Sequence, residues 1–505
     1  MKKIFFLLIA GLSASVSYSQ EISDAVRFSQ NNLTGTARFR AMSGAFGAVG
    51  GDLSAISVNP AGSAIFNNNQ VGISFSNLNT KNNSEYFNTQ TSDKDNSFIL
   101  NQAGAVFVFN DRNPNSKWKK ISIGATYENT NNFNNDSFSA GTNLGNSVAS
   151  YFLAYANGDA FNSPVALGDI TGIDYENQFY NEQQAYFGYY GFVINPVTNN
   201  NNNTQYTSNV PAGPKYQENE VRERGYNSKV SFNIATSYMD RIYFGANLNV
   251  HVTDYRRTSS FYESNNSPLE PTATISNLRF NNDLYTYGNG FSFQLGTIAK
   301  VTNNFRLGVS YESNTWYELY DEISQSLYTT TQAANGPENY ADVNPNLVNV
   351  YESYTLQTPA KWTFSAAYVF GKSGLLSIDY GIKDYSNTKY KPTDDSYFRN
   401  LNSRISNTLT SVGELRIGGE YKIKQLSLRG GYRFEGSPYK DGSTIGDLTS
   451  YSGGLGYNFG GTKLDLAYSY FERKSNQDFF SKGQTGAPNM LTKMNNVTLT
   501  LLFEL

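Results

Sequence analysis

The sequence predicts an all-β fold, a transmembrane antiparallel β-barrel of about fourteen strands with an N-terminal hatch, or plug, inside the barrel. Three observations carry this expectation. Segments in which apolar and polar residues alternate with period two recur along nearly the whole chain. The connections between them alternate short and long. The stretch before the first segment, from Gln20 to Phe66, lacks the alternation and is dominated by small residues.

Composition removes the competing classes. Among 505 residues there are 38 Tyr, 34 Phe and 3 Trp, too many aromatics for a disordered chain. After the first dozen residues no run of about 18 apolar residues occurs, so a helical membrane bundle is excluded. A formal charge of −3, from 39 basic and 42 acidic residues, gives no electrostatic reason to expect nucleic acid. With no Cys and one His, disulfides, Cys-ligated zinc, iron–sulfur clusters and thiol catalysis are ruled out, and no metal or other cofactor is expected.

The N-terminus reads as an export signal over residues 1–19. Met1-Lys2-Lys3 is the positive region, Ile4 to Leu12 an apolar run too short to span a bilayer, and Ser17-Tyr18-Ser19 a small-x-small cleavage site before Gln20. Without a Cys no lipid anchor can be attached, so the mature protein is held in the outer membrane of a Gram-negative bacterium by its own fold.

The alternating segments are read over residues 70–79, 98–109, 121–130, 226–238, 242–257, 282–299, 305–316, 355–370, 374–388, 411–421, 426–434, 449–459, 463–473 and 495–505. Leu426, Leu428, Gly430, Tyr432 and Phe434 share one face of their strand, with Ser427, Arg429, Gly431 and Arg433 opposite. Tight gaps at Met239-Asp240-Arg241, near Asn303, at Gly371-Lys372-Ser373, Lys424-Gln425 and Gly460-Gly461-Thr462 alternate with long ones. Residues 67–505 are therefore assigned to the barrel, with long external loops at 131–225 and 317–354. The last strand carries Val497, Leu499, Leu501, Phe503 and Leu505 against Thr498, Thr500 and Glu504, an apolar stripe running to the final residue.

Residues 20–66 form the hatch. Gly44, Gly47, Gly50 and Gly51 do not make a phosphate loop, because no strand precedes them and no Lys-Ser/Thr follows. They read instead as a compact coil packed against close walls, with Asn59-Pro60 fixing a bend.

Gly50-Gly51-Asp52-Leu53-Ser54-Ala55-Ile56-Ser57-Val58-Asn59-Pro60-Ala61-Gly62, together with Thr358-Pro359-Ala360-Lys361-Trp362, Leu415 to Tyr421, Leu428 to Tyr432 and Ser437-Pro438, resembles the FadL/TodX family of outer-membrane transporters for hydrophobic compounds. The resemblance extends from about Ala37 to the C-terminus, apart from the irregular loops. It implies a monomer, uptake of long-chain fatty acids or aromatic hydrocarbons without ATP, and partners limited to the ligand, outer-membrane lipid and lipopolysaccharide.

Candidate functional residues follow. Asn59, Pro60, Ala61 and Gly62 are the gate of the hatch. Arg416, Arg429 and Arg433 on lumen faces are candidates to pair with a ligand carboxylate, or else form a cross-strand ion-pair ladder with Glu420 nearby. Val148, Tyr151, Phe152 and Tyr155, at helical spacing in the long loop, are candidates for an external apolar groove or for a roof over the barrel. His251, on the face of Asn247 and Asn249, is expected in the lumen as a polar filler. The rival functions are a structural or secretion-associated barrel with a permanent plug, a surface hydrolase built on His251, and a haem receptor using Tyr.

Overall fold

A computed structural model describes residues 20–159, 163–483 and 486–505; the expected leader lies outside the described residues. Fourteen antiparallel strand tracks close into a barrel. They are β1 Gln70–Tyr86, β2 Thr89–Asn110, β3 Trp118–Asn132, β4 Lys215–Tyr238, β5 Ile242–Asn265, β6 Thr274–Lys300 and β7 Phe305–Glu312. The other seven are β8 Lys361–Val369, β9 Gly374–Asp384, β10 Ser411–Ile423, β11 Leu426–Glu435, β12 Ile445–Asn458, β13 Thr462–Asn476 and β14 Asn489–Glu504. Closure comes from β1 pairing with β14, Gln70 opposite Glu504, and the Leu505 amide donates to the Asn69 carbonyl at 3.0 Å. Among the described residues the ring of fourteen tracks closes on itself between the short turns and the strand extensions, as a wall in lipid requires.

The alternation is inverted relative to a soluble protein. On β14, Leu499 and Leu501 are 43% and 37% exposed while Thr498 and Thr500 are fully buried, and β13 repeats the pattern with Leu466 exposed and Asp465 buried. Apolar side chains face outward all round, and Ser, Thr, Asn and charged residues face in. Water cannot be the solvent of such an outer face; hydrocarbon can. Aromatic pairs bound the apolar band, Tyr457–Phe459 and Tyr368–Phe370 near the short turns and Tyr432–Tyr451 and Tyr311–Trp362 toward the other end.

Every alternating segment overlaps one of these tracks; 355–370 and 374–388 overrun β8 and β9, the latter into a 3-10 turn at Tyr385–Asn387, while several other strands run further than the pattern does. β1 and β2 continue to a two-residue turn at Phe87-Asn88, whose φ values of 43° and 65° match the twist of a tight hairpin. Asn135–Asn143 prolongs β3, and Trp316–Gln332 prolongs β7 and pairs with β6. The stretches read as loops at 131–225 and 317–354 therefore contain paired strand as well as loop. These extensions are polar on both faces, as in Thr80-Lys81-Asn82-Asn83-Ser84 and Gln217-Glu218-Asn219-Glu220, so they leave no period-two signal.

Helices sit inside this wall and over one end: α1 Ile22–Ser29, α2 Ala37–Ala41, α3 Ala149–Ala156, α4 Leu167–Gly172, α5 Tyr180–Tyr190 and α6 Ser396–Thr408. Among the described residues no helix is long and apolar enough to cross a membrane.

Candidate functional site

From about Thr36 onward the N-terminal segment fills the lumen at the level of the short turns. Thr36 caps α2 by accepting from the Phe39 amide at 3.2 Å and donates to Asp52 Oδ1 at 2.7 Å, which ties the start of the segment to its middle. Burial pushes the Asp52 carboxyl above its usual range, opposed by the Arg38 charge and the Thr36 hydroxyl. From Ser54 the chain makes two short 3-10 turns, Ser54–Ser57 and Pro60–Ile65.

Asn59 stands at the junction. Its Oδ1 accepts from the Ala61 amide at 3.1 Å, and its Nδ2 donates to the Gly47 carbonyl at 2.8 Å and to the Thr297 carbonyl of β6 at 3.1 Å. Pro60 occupies the first helical position, where a missing N–H costs nothing. The bend expected at Asn59-Pro60 is thus a capped helix start. Ala61 is fully buried, and Gly62 is required for closeness rather than for unusual dihedrals: a Cβ there would meet Gly50 Cα at 3.2 Å, while positive φ occurs at Gly50 and Gly51.

The wall answers with donors aimed at plug carbonyls. Asn233 Nδ2 reaches Pro60 O at 3.0 Å, Asn247 Nδ2 reaches Ile56 O at 2.9 Å, Ser310 Oγ reaches Val58 O at 2.7 Å and Arg306 Nη1 reaches Val49 O at 3.0 Å. Asp379 Oδ2 accepts the amides of Phe46 and Gly47, each at 3.0 Å. Where the plug comes closest the wall is glycine. A Cβ on Gly296 would lie 2.0 Å from Asn59 Oδ1, on Gly245 2.3 Å from the Pro60 carbonyl carbon, and on Gly308 2.3 Å from Gly47 O. Sequence reasoning missed these wall residues because register is needed to know which strand positions meet the plug. The glycine on the polar face of each strand is the signal that marks them.

The three arginines end on protein carboxylates. Arg416 Nη2 is 2.6 Å and Arg433 Nε 2.7 Å from Glu414 Oε1; Arg433 Nη2 also reaches Glu435 at 2.5 Å. Arg429 spans Glu420 at 2.7 Å and Asp465 at 2.5 Å, and Arg38 of the plug shares Glu420 at 2.8 Å. They form a ladder across β10 to β13 that continues into the plug.

Val148 immediately precedes α3 and Tyr151, Phe152 and Tyr155 lie on it, all buried. Their face is filled rather than open. Tyr151 and Phe152 pack edge-on or tilted against Phe280 of β6 at 5.8 and 5.2 Å, and α5 adds Phe187 at 5.8 Å from the same ring. A second apolar cluster surrounds α1, where Phe28 meets Phe133 at 6.1 Å, Tyr255 at 6.2 Å and Tyr317 at 6.5 Å, joined by Tyr354, Tyr390 and Phe398. The sequence reading missed α6, although its signals were present: Asp395 accepts from the Tyr397 and Phe398 amides, and Phe398, Leu401 and Ile405 follow at helical spacing.

His251 faces inward. Its Nε2 lies 2.9 Å from Ser292 Oγ, but Nδ1 meets Tyr317 Oη at 3.3 Å rather than a carboxylate, and both His251 and Ser292 are buried.

A family model described as "Outer membrane protein transport protein (OMPP1/FadL/TodX)" matches residues 181–498. No curated protein matches the chain. Among solved structures, a Pseudomonas aeruginosa FadL homologue is similar with a TM-score of 0.55 at 12% identity, covering 94% of this chain and 99% of the other. The P. putida toluene transporter TodX gives 0.51 at 13% identity, with 94% and 99% covered. At such identity the likeness speaks for the fold, and it agrees with the closed fourteen-stranded wall. Since the family model spans more than half of the sequence, the chain belongs to the OMPP1/FadL/TodX family of outer-membrane transport proteins.

Proposed function

We propose that the protein carries poorly water-soluble small molecules, long-chain fatty acids or aromatic hydrocarbons, inward across the outer membrane without ATP, with the N-terminal segment as its gate. One observation carries the reading: two aromatic clusters, one around α3 and α5 and one around α1, lie above a plug seated in an otherwise polar lumen. A pore for hydrophilic solutes gains nothing from an aromatic approach, whereas an apolar ligand leaving water does. The likeness to TodX, a toluene transporter, points the same way.

In this reading residues 1–19 are removed on export, residues 20–66 are the hatch, and the long connections face the cell exterior as a monomeric barrel in lipopolysaccharide. Asn59 to Gly62 form the moving element, Val148, Tyr151, Phe152 and Tyr155 part to admit ligand, and Arg416, Arg429 or Arg433 meets a ligand carboxylate only by exchanging it for a wall carboxylate. The dense hydrogen bonding of plug to wall favours a second reading, a barrel whose plug is permanent. Uptake of a labelled fatty acid and of toluene, by cells making the intact chain or one lacking residues 20–62, separates them. Saturable uptake by the intact chain supports transport; uptake equal to that of barrel-free cells supports the permanent plug.

A further inference from the structure

Arg40 of α2 is 5% exposed and its Nη2 donates to Ser469 Oγ at 3.0 Å, while its Nε has no partner. Among the described residues no carboxylate comes within ion-pair distance of it, unlike Arg38 two positions earlier. The charge that acts on it is another cation, Arg433, which belongs to a cluster with more cations than carboxylates. Two carboxylates, Glu414 and Glu435, serve four cations: Lys361 at 2.6 Å, Arg416, Arg433, and Arg473 at 3.3 Å. Burial, and then the Arg433 charge, hold Arg40 down to about 9, which still leaves it charged at neutral pH. A buried guanidinium without a counter-charge is costly, and a hydroxyl does not balance it.

Beside it is a cavity of about 20 Å³ whose polar lining is Arg40, Arg433, Ser450 and Ser469 with Asn32, Thr34 and Asn132, the rest of its boundary being apolar side chains. That is room for a single particle of about the size of water or a halide ion. Plug and wall both supply its polar lining.

The geometry points to a site for one compact monovalent anion, of chloride or bromide size, held between Arg40 and Arg433, which supplies the missing counter-charge and fastens the plug to β11, β12 and β13. The inference does not depend on what the barrel transports. A water molecule would satisfy Arg40 Nε but not the charge, so occupancy by water alone is the rival.

The test is crystallographic and thermal. Purified protein is crystallised in bromide, and anomalous scattering is collected above the bromine edge; a peak against Arg40 and Arg433 is expected, and density without anomalous signal overturns the site. In solution the unfolding midpoint, followed in detergent at constant ionic strength, is expected to rise by a few degrees and saturate as chloride replaces gluconate, which is too large for the cavity. Arg40→Met is expected to lose both the peak and the chloride dependence. If that variant does not assemble, the two measurements on the unaltered chain decide alone. Equal midpoints in chloride and gluconate overturn the proposal.

Discussion

Asn59 and Thr297 are joined side chain to backbone, Nδ2 to O at 3.1 Å, so the cap of a plug helix is also a fastener to strand β6. The same nitrogen holds Gly47 within the plug at 2.8 Å. One amide thus couples the internal order of the plug to its seat.

Asn59→Ala is expected to loosen the plug without harming the wall. It removes a helix cap and leaves buried carbonyls unpaired, a loss of about 2 kcal/mol, while none of the strand pairings involves the side chain. Amide exchange over residues 44–65 should quicken, heat-modifiable migration of the barrel should persist, and uptake of an apolar probe at matched surface level should change. Unaltered uptake despite faster exchange would remove the gate role; loss of assembly would assign Asn59 to folding.

Small additions to the wall should act on the plug from the other side. Gly296→Ala and Gly308→Ala place a methyl 2.0 Å from Asn59 Oδ1 and 2.3 Å from Gly47 O, closer than atoms tolerate, whereas a methyl at Gly430 has its nearest neighbour, Ser452 O, at 3.9 Å. The first two variants should expose residues 20–66 to added protease and Gly430→Ala should not. Equal protection in all three would mean that the plug is not seated against β6 and β7.

How much of this was legible follows from the solvent around each segment. Within the bilayer band, lipid demands an apolar outer face and the lumen a polar inner one, so strands such as β13 and β14 announce themselves by alternation. Beyond the band both faces meet polar surroundings, and the tops of β1, β2 and β4 to β6 lose the signal although pairing continues. The Phe87-Asn88 turn lacks the glycine that usually betrays a tight hairpin. The Asn59 to Gly62 element could be picked out by composition, but its wall partners, Asn233 on the Pro60 carbonyl and the Thr297 carbonyl on Asn59, with Asn247 and Gln294 on the turn just before it, lie far from it in sequence and appear only with register. The arginines were visible as lumen residues, yet their partners Glu414, Glu435 and Asp465 were not singled out.

The orientation of the barrel gives a third expectation. With the C-terminus and the start of β1 beside the short turns, the 144–214 connection and Lys424-Gln425 lie at opposite ends. The native chain has no Cys, so single substitutions report cleanly. Asn200→Cys should react with a membrane-impermeant maleimide on whole cells and Lys424→Cys only after lysis. The reverse pattern would place the roof of α3 and α5 on the periplasmic side and undo the inward direction proposed for transport.

The last expectation separates lipid from water as the solvent of exposed apolar residues. Leu466 and Leu499 face each other across β13 and β14 and are 46% and 43% exposed, and Val348, in the connection after the β7 extension, is 57% exposed. By exposure alone arginine should be tolerated best at Val348 and nearly as well at the two leucines. If the leucines lie in the apolar band, however, Arg at either requires a charge near the bilayer midplane, costing roughly 2–4 kcal/mol, whereas Val348→Arg exchanges an apolar group for a charged one in water and should be close to neutral. Urea titration of barrels folded into liposomes, read by the heat-modifiable gel shift, measures both. Equal midpoints for Leu499→Arg and Val348→Arg would mean that Leu499 faces water, and the membrane face assigned to β13 and β14 would have to be abandoned.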